Sequence, residues 1–116
     1  MPRLADFVVV QDHGVDIPHD NLNDFHFRPF SAPGVLGTPS ILMFRLKTTG
    51  EVDFAANLNN VELFRTEFPA GTDRTWHETI TSLNVLQTNN LLDMIVYGGP
   101  GTVTVSDVVL FYHAVS

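Results

Sequence analysis

The chain has 116 residues, 44% of them hydrophobic and 16% charged, and thirteen acidic against six basic residues give a net charge of −7. This describes one folded domain and excludes a disordered chain, which would be poorer in Val, Leu and Phe; having no cysteine, the chain also lacks disulfides, zinc–thiolate centres and thiol nucleophiles. A negative surface repels phosphate backbones and anionic lipid, so neither nucleic acid nor membrane is an expected partner.

At the N-terminus Met1 is followed by Pro2, Arg3 and then Asp6, too much charge for a signal peptide. The expected location is therefore cytoplasmic, or the chain is a domain cut from a larger exported protein. No apolar run approaches the roughly 18 residues that span a bilayer, since Asp93 interrupts the longest, "LLDMIVY".

In chain order, "DFVVVQ" and "DFHFRPF" read as strands, while "HGVDIPHDNLN" (13–23) and "SAPGVLGTPS" (31–40), rich in Pro, Gly, Asn and Asp, read as loops. Period-two alternation then dominates. In "ILMFRLK", Leu42, Phe44 and Leu46 share one face; in "EVDFAANL", Val52, Phe54, Ala56 and Leu58 do. "VELFRTEF" sets Phe64 and Phe68 against Glu62 and Thr66, and Leu63 fits only if the strand bends. "RTWHETI" follows, then "SLNVLQTNN" (82–90), with room for one helical turn, and the strands "LLDMIVY" and "TVTVSDVVLFYHAV". Turn signals at "KTTGE", "NLNN" and "GGPG" join neighbouring strands as hairpins. The sum is about eight short strands, which predicts an all-β, antiparallel β-sandwich in a single domain over 1–116.

The last strand carries a specific expectation. Val103 and Val105 share one face, but Val108, Leu110 and Tyr112 continue on the other, and the switch falls at Ser106-Asp107. A bulge there keeps both sets inward. The alternative is a strand buried on both faces, one of them against a partner.

Residues 41–113 carry a resemblance in four pieces: "FAANLNNVELF", "DRTWHETI", "LQTNNLLDMIVY" and "GTVTVSDVVLFYH". In this order they resemble the jelly-roll β-sandwich of carbohydrate-binding modules and galactose-binding-like domains. The turn at Asn59-Asn60 departs from that pattern, which commonly has Asn-Gly. The resemblance implies a jelly roll, a glycan ligand, and a structural calcium where first and last strands meet. Asp107, with Asp6 or Asp12, are its candidate ligands. The competing role for Asp107 is to cap the bulge by bonding backbone N–H groups.

"DRTWHETI" holds the only tryptophan. If Ile80 points inward, Glu78, Trp76 and Arg74 share its face and His77 faces out; the opposite register exposes the indole between Arg74 and Glu78. An exposed indole flanked by hydrogen-bonding groups suits a sugar ring, whereas an inward one covers an end of the core. The ligand-binding candidates are Arg74, Trp76, His77 and Glu78, with Asn57, Asn59 and Asn60, whose amides both donate and accept.

Catalysis finds little footing. There is no nucleophile elbow, and no helix follows "GGPG" to hold a phosphate. Glu78 and Asp93 are the least implausible carboxylate pair for glycoside hydrolysis. The His-rich "HGVDIPHDNLNDFHF" (His13, His19, His26) lacks the closely spaced strand His of a cupin-type metal site. The expectation is a non-catalytic, lectin-like carbohydrate-binding domain. Its rivals are a structural subunit that forms homo-oligomers through its sheets, and a small metal-dependent cupin-like enzyme.

Overall fold

The computed structural model describes residues 3–18, 25–36, 39–80, 85–98 and 101–115. Among them are nine strands: β1 (Arg3–Gln11), β2 (Val15–Pro18), β3 (Phe25–His26), β4 (Ser40–Thr48), β5 (Val52–Leu58), β6 (Val61–Phe68), β7 (Asp73–Ile80), β8 (Leu92–Gly98) and β9 (Thr102–Val115). A five-stranded sheet runs β1-β9-β4-β7 with β2 also on β9, and a four-stranded sheet runs β3-β8-β5-β6. Every pairing is antiparallel, and the layers form a jelly-roll sandwich. The alternating apolar sets of β4, β5, β8 and β9 mesh between the layers as one core.

The switch in β9 is resolved by a bulge. Met43 pairs with Val109 but Arg45 with Ser106, which leaves Asp107 as the extra residue. It sits in the left-handed region, at φ 53°. Asp tolerates that region better than most residues because its short side chain bonds nearby backbone. Val103, Val105, Val108, Leu110 and Tyr112 are consequently all buried. Edge strand β1 answers with its own irregularity between Val9 and Gln11 and then leaves the sheet.

Two expectations change, and a third lies partly outside the described residues. Segment 13–23 is not all loop: Val15 and Ile17 alternate well enough for β2 to take up the edge that β1 abandons, pairing Val15 with Val105. Of the segment 24–30, the described residues 25–30 form only a two-residue strand, after which Phe27 and Phe30 turn into the core. In 82–90, residues 82–84 lie outside the described residues and 85–90 form no helix.

Strand β6 bends as its sequence requires. Ala56 faces Phe64 but Asn57 faces Glu62, so Leu63 is bulged out. Thr66 then shares the inner side with Phe64 and Phe68 rather than opposing them, because all three follow the bulge in period two. The β5–β6 hairpin closes on Asn59 and Asn60, both with positive φ (51° and 67°), between the paired Leu58 and Val61. That is a type I′ turn, whose twist matches the flanking strands. At the sandwich end a Cβ on Gly101 would lie 2.6 Å from the Gly50 backbone, so only glycine fits there.

Candidate functional site

Strand β7 is an edge strand, and Ile80 points inward, so the register turns Trp76 inward as well. The indole is half-buried and closes the flank between β7 and β6. It lies edge-on to Phe68, with centroids 5.2 Å apart, and tilted against Phe64 at 5.6 Å. Phe64 in turn stacks on Phe44 and meets Phe54, so an aromatic chain runs from the flank to the centre of the core. Arg74 and Glu78 are directed at the indole. The guanidinium lies 5.3 Å from the ring centre, and the indole N–H donates to Glu78 Oε1 at 3.3 Å. Polar side chains are tolerated on this inward face because the edge of the sheet keeps their tips in water.

The remaining candidates lie elsewhere. His77 projects from the opposite, outer face of the five-stranded sheet, opposite Met43 in the register. Asn57 stands on the outer face of the four-stranded sheet. Asn59 is committed to the turn: its N–H donates to Leu91 O at 2.8 Å, and its Oδ1 accepts from Leu91 N–H at 2.8 Å. Asn60 is its exposed turn partner. The seven candidates therefore occupy separate places, and only Arg74, Trp76 and Glu78 form a cluster.

A residue missed by sequence reasoning is Asn90. It is fully buried, and its side chain saturates its hydrogen-bonding capacity. The amide donates to Leu86 O at 2.7 Å and Phe30 O at 3.2 Å; the oxygen accepts from Leu86 N–H at 2.7 Å and Asn59 Nδ2 at 3.1 Å. Asn90 thereby ties the segment before β8 to the β5–β6 turn and to Phe30. The Asn pair before an apolar strand was the only signal in the sequence.

The outer face of the four-stranded sheet is organised by register. His26 pairs with Asp93, Asp93 with Asn57, and Asn57 with Glu62, so four polar side chains form one row across four strands. Three interstrand gaps make that row about 14 Å long. His26 Nδ1 and Asp93 Oδ1 are 2.5 Å apart. Beyond the row, Ile95 and Ala55 are buried despite facing outward, an apolar floor beneath taller neighbours. On the far side Arg65 donates to Asp53 at 2.8 Å and stacks 4.0 Å over the Tyr97 ring. Hydrogen bonding by that guanidinium holds the Asp53 carboxyl below its usual value, against the opposing effect of burial.

Asp6 lies apart from Asp107, while the pairing of Gln11 with Val108 carries the chain at Asp12 toward the bulge. Asp6 pairs with Tyr112, five residues along β9 from Asp107, or about 17 Å in an extended strand. Asp6 helps its neighbours instead: Phe7 N–H donates to its Oδ1 at 2.8 Å. Burial, and then the Asp6 charge, raise the pKa of the Tyr112 phenol. Asp12 is exposed and 3.3 Å from His13. Among the described residues no group of three or more His, Cys, Asp or Glu is placed to hold a metal, and calcium needs six to eight oxygens. The carboxylates of Glu78 and Asp93 belong to different sheets, one on the inner flank and one on an outer face, so they frame no common cleft.

No protein-family model matches the sequence, and no curated protein matches it. Solved structures do match its shape. Dimeric latent PorU from Porphyromonas gingivalis aligns over 98% of this chain at TM-score 0.68 and 12% identity, and the chain spans 13% of that protein. A variant of a family 29 carbohydrate-binding module aligns at TM-score 0.63 and 11% identity, over 93% of this chain and 92% of the module. The fold is that of carbohydrate-binding modules. A family 36 module in complex with calcium and xylotriose shares it at TM-score 0.53 and 10% identity, over 96% of this chain and 99% of the module. Likeness at these identities carries the architecture alone.

Proposed function

We propose that this chain is a non-catalytic carbohydrate-binding domain, and that a neutral glycan lies along the outer face of its four-stranded sheet. The observation that carries the reading is the register row His26–Asp93–Asn57–Glu62 beside the Ala55–Ile95 floor. Sugar hydroxyls both donate and accept, and the row offers both kinds of partner. A pyranose also has an apolar C–H face, which suits the floor and the stacked Arg65–Tyr97 pair. Asp53, Glu62, Glu67 and Asp93 outnumber the bases of this face, which disfavours acidic sugars. The fold shared with carbohydrate-binding modules supports the same reading.

The flank at Trp76, Arg74 and Glu78 is the rival location, and one experiment separates the two. Calorimetric titration of a panel of neutral oligosaccharides is expected to find a ligand. Asn57→Ala and Asp93→Ala each then weaken it at least about tenfold, the equivalent of 1.4 kcal/mol. Trp76→Phe leaves its affinity within about twofold. Loss of binding in Trp76→Phe but not in the other two variants would move the site to the flank, and silence across the panel would remove the function.

A further inference from the structure

We infer that the outer face of the five-stranded sheet is a self-association surface on which a second copy of this chain docks. Phe7, Phe111 and Ile41 stand in one row across β1, β9 and β4; Val9, Val109 and Met43 form the next. Phe7 is 59% exposed and Val9 50%, and Phe111 and Ile41 are exposed as well. The rings of Phe7 and Phe111 lie 6.2 Å apart. An edge strand and its neighbour normally turn polar side chains outward, so six apolar ones in two adjacent rows are a departure that calls for an occupant.

Charge identifies the occupant. The chain carries −7, yet none of these six side chains is charged. An acidic or basic partner would lose water here and find no counter-charge. The matching surface must itself be flat, neutral and apolar. The outer face of the four-stranded sheet is polar, so among the described sheet faces this one is complementary to itself, as an isologous two-fold contact requires. Around it lie Arg45 and Asp73, bonded at 3.0 Å, then Lys47, and Asp16 bonded to Thr104, which together make a polar rim.

Area sets the strength. The two apolar rows on three strands cover about 200 Å² per copy; with the polar rim, the face of four strands about 4.8 Å apart and four rows about 6.8 Å apart covers about 500 Å² per copy, or about 1,000 Å² for the pair. That is at the lower limit for a specific interface, so the dimer is reversible and weaker than about 1 μM. The two copies repel through their like charge, so added salt tightens the contact. In such a dimer both four-stranded sheets face outward, and glycan sites there stay open.

Sedimentation equilibrium of the full chain, from about 10 μM to about 1 mM and at low and high salt, tests this. The weight-average mass is expected to climb from 12.9 kDa toward twice that value, and sooner in high salt. Phe111→Lys weakens association at least tenfold with the circular dichroism spectrum unchanged. Phe7→Ser on the edge strand weakens it too, should the first variant fold poorly, while Glu67→Gln on the other sheet does not. A mass of 12.9 kDa at every concentration and salt overturns the inference, as does a dimer indifferent to both Phe substitutions. The measurement uses no glycan, so its outcome is independent of the proposed ligand.

Discussion

Replacing Trp76 by alanine separates a structural indole from a ligand platform. Truncating a fully buried Trp costs about 3–5 kcal/mol. Trp76 is half-buried, against Phe64 and Phe68, so about 2 kcal/mol is expected. With a urea m-value of about 2 kcal/mol/M, the midpoint falls by about 1 M. Phenylalanine keeps the ring contacts and loses the indole N–H bond to Glu78, for a cost of about 1 kcal/mol. Because the chain has a single Trp, far-UV circular dichroism must follow the unfolding of all three proteins. A midpoint shift below about 0.2 M for the alanine variant would refute the view that the indole seals the flank.

Asn90→Ala removes four hydrogen bonds from a buried site and is expected to cost about 3 kcal/mol in urea unfolding; a loss under about 1 kcal/mol would mean the freed groups find other partners. Asp107→Val, which forces a β-branched residue to positive φ, destabilises by about 1–2 kcal/mol, whereas Asp107→Gly stays within about 0.5 kcal/mol. Millimolar calcium leaves the melting temperature unchanged, and a rise that Asp107→Asn abolishes would place an ion at the bulge. Asp53 titrates below its ordinary 3.8 when folded, so its contribution is complete above that pH and disappears as pH falls through the lower folded value. Arg65→Gln should accordingly flatten the acid limb of a melting-temperature profile, and an unchanged limb would show that the pair does not couple to folding.

Much of the fold was legible because alternation is a local signal. Leu42, Phe44 and Leu46 could only face one layer, and of the two readings of the face switch at Ser106-Asp107 the structure has the bulge, with Asp107 at φ 53°. The four-residue β2 was hidden because its pairing depends on where β1 lets go of β9, a distant event. Trp76 could not be placed from its neighbours, since an edge strand allows Arg74 and Glu78 to share an inward face. The row His26–Asp93–Asn57–Glu62 joins residues up to 67 apart in sequence, and Asn90 bonds a carbonyl 60 residues away. No local pattern encodes such meetings; registers and bulges create them.

The most direct test of glycan recognition is an amide-resolved NMR titration of the labelled chain with neutral oligosaccharides. Saturable shifts confined to His26, Asp93, Asn57, Arg65 and Tyr97 are the expected result. Shifts gathered around Trp76 on the β6–β7 flank, or no shift with any sugar, would contradict it.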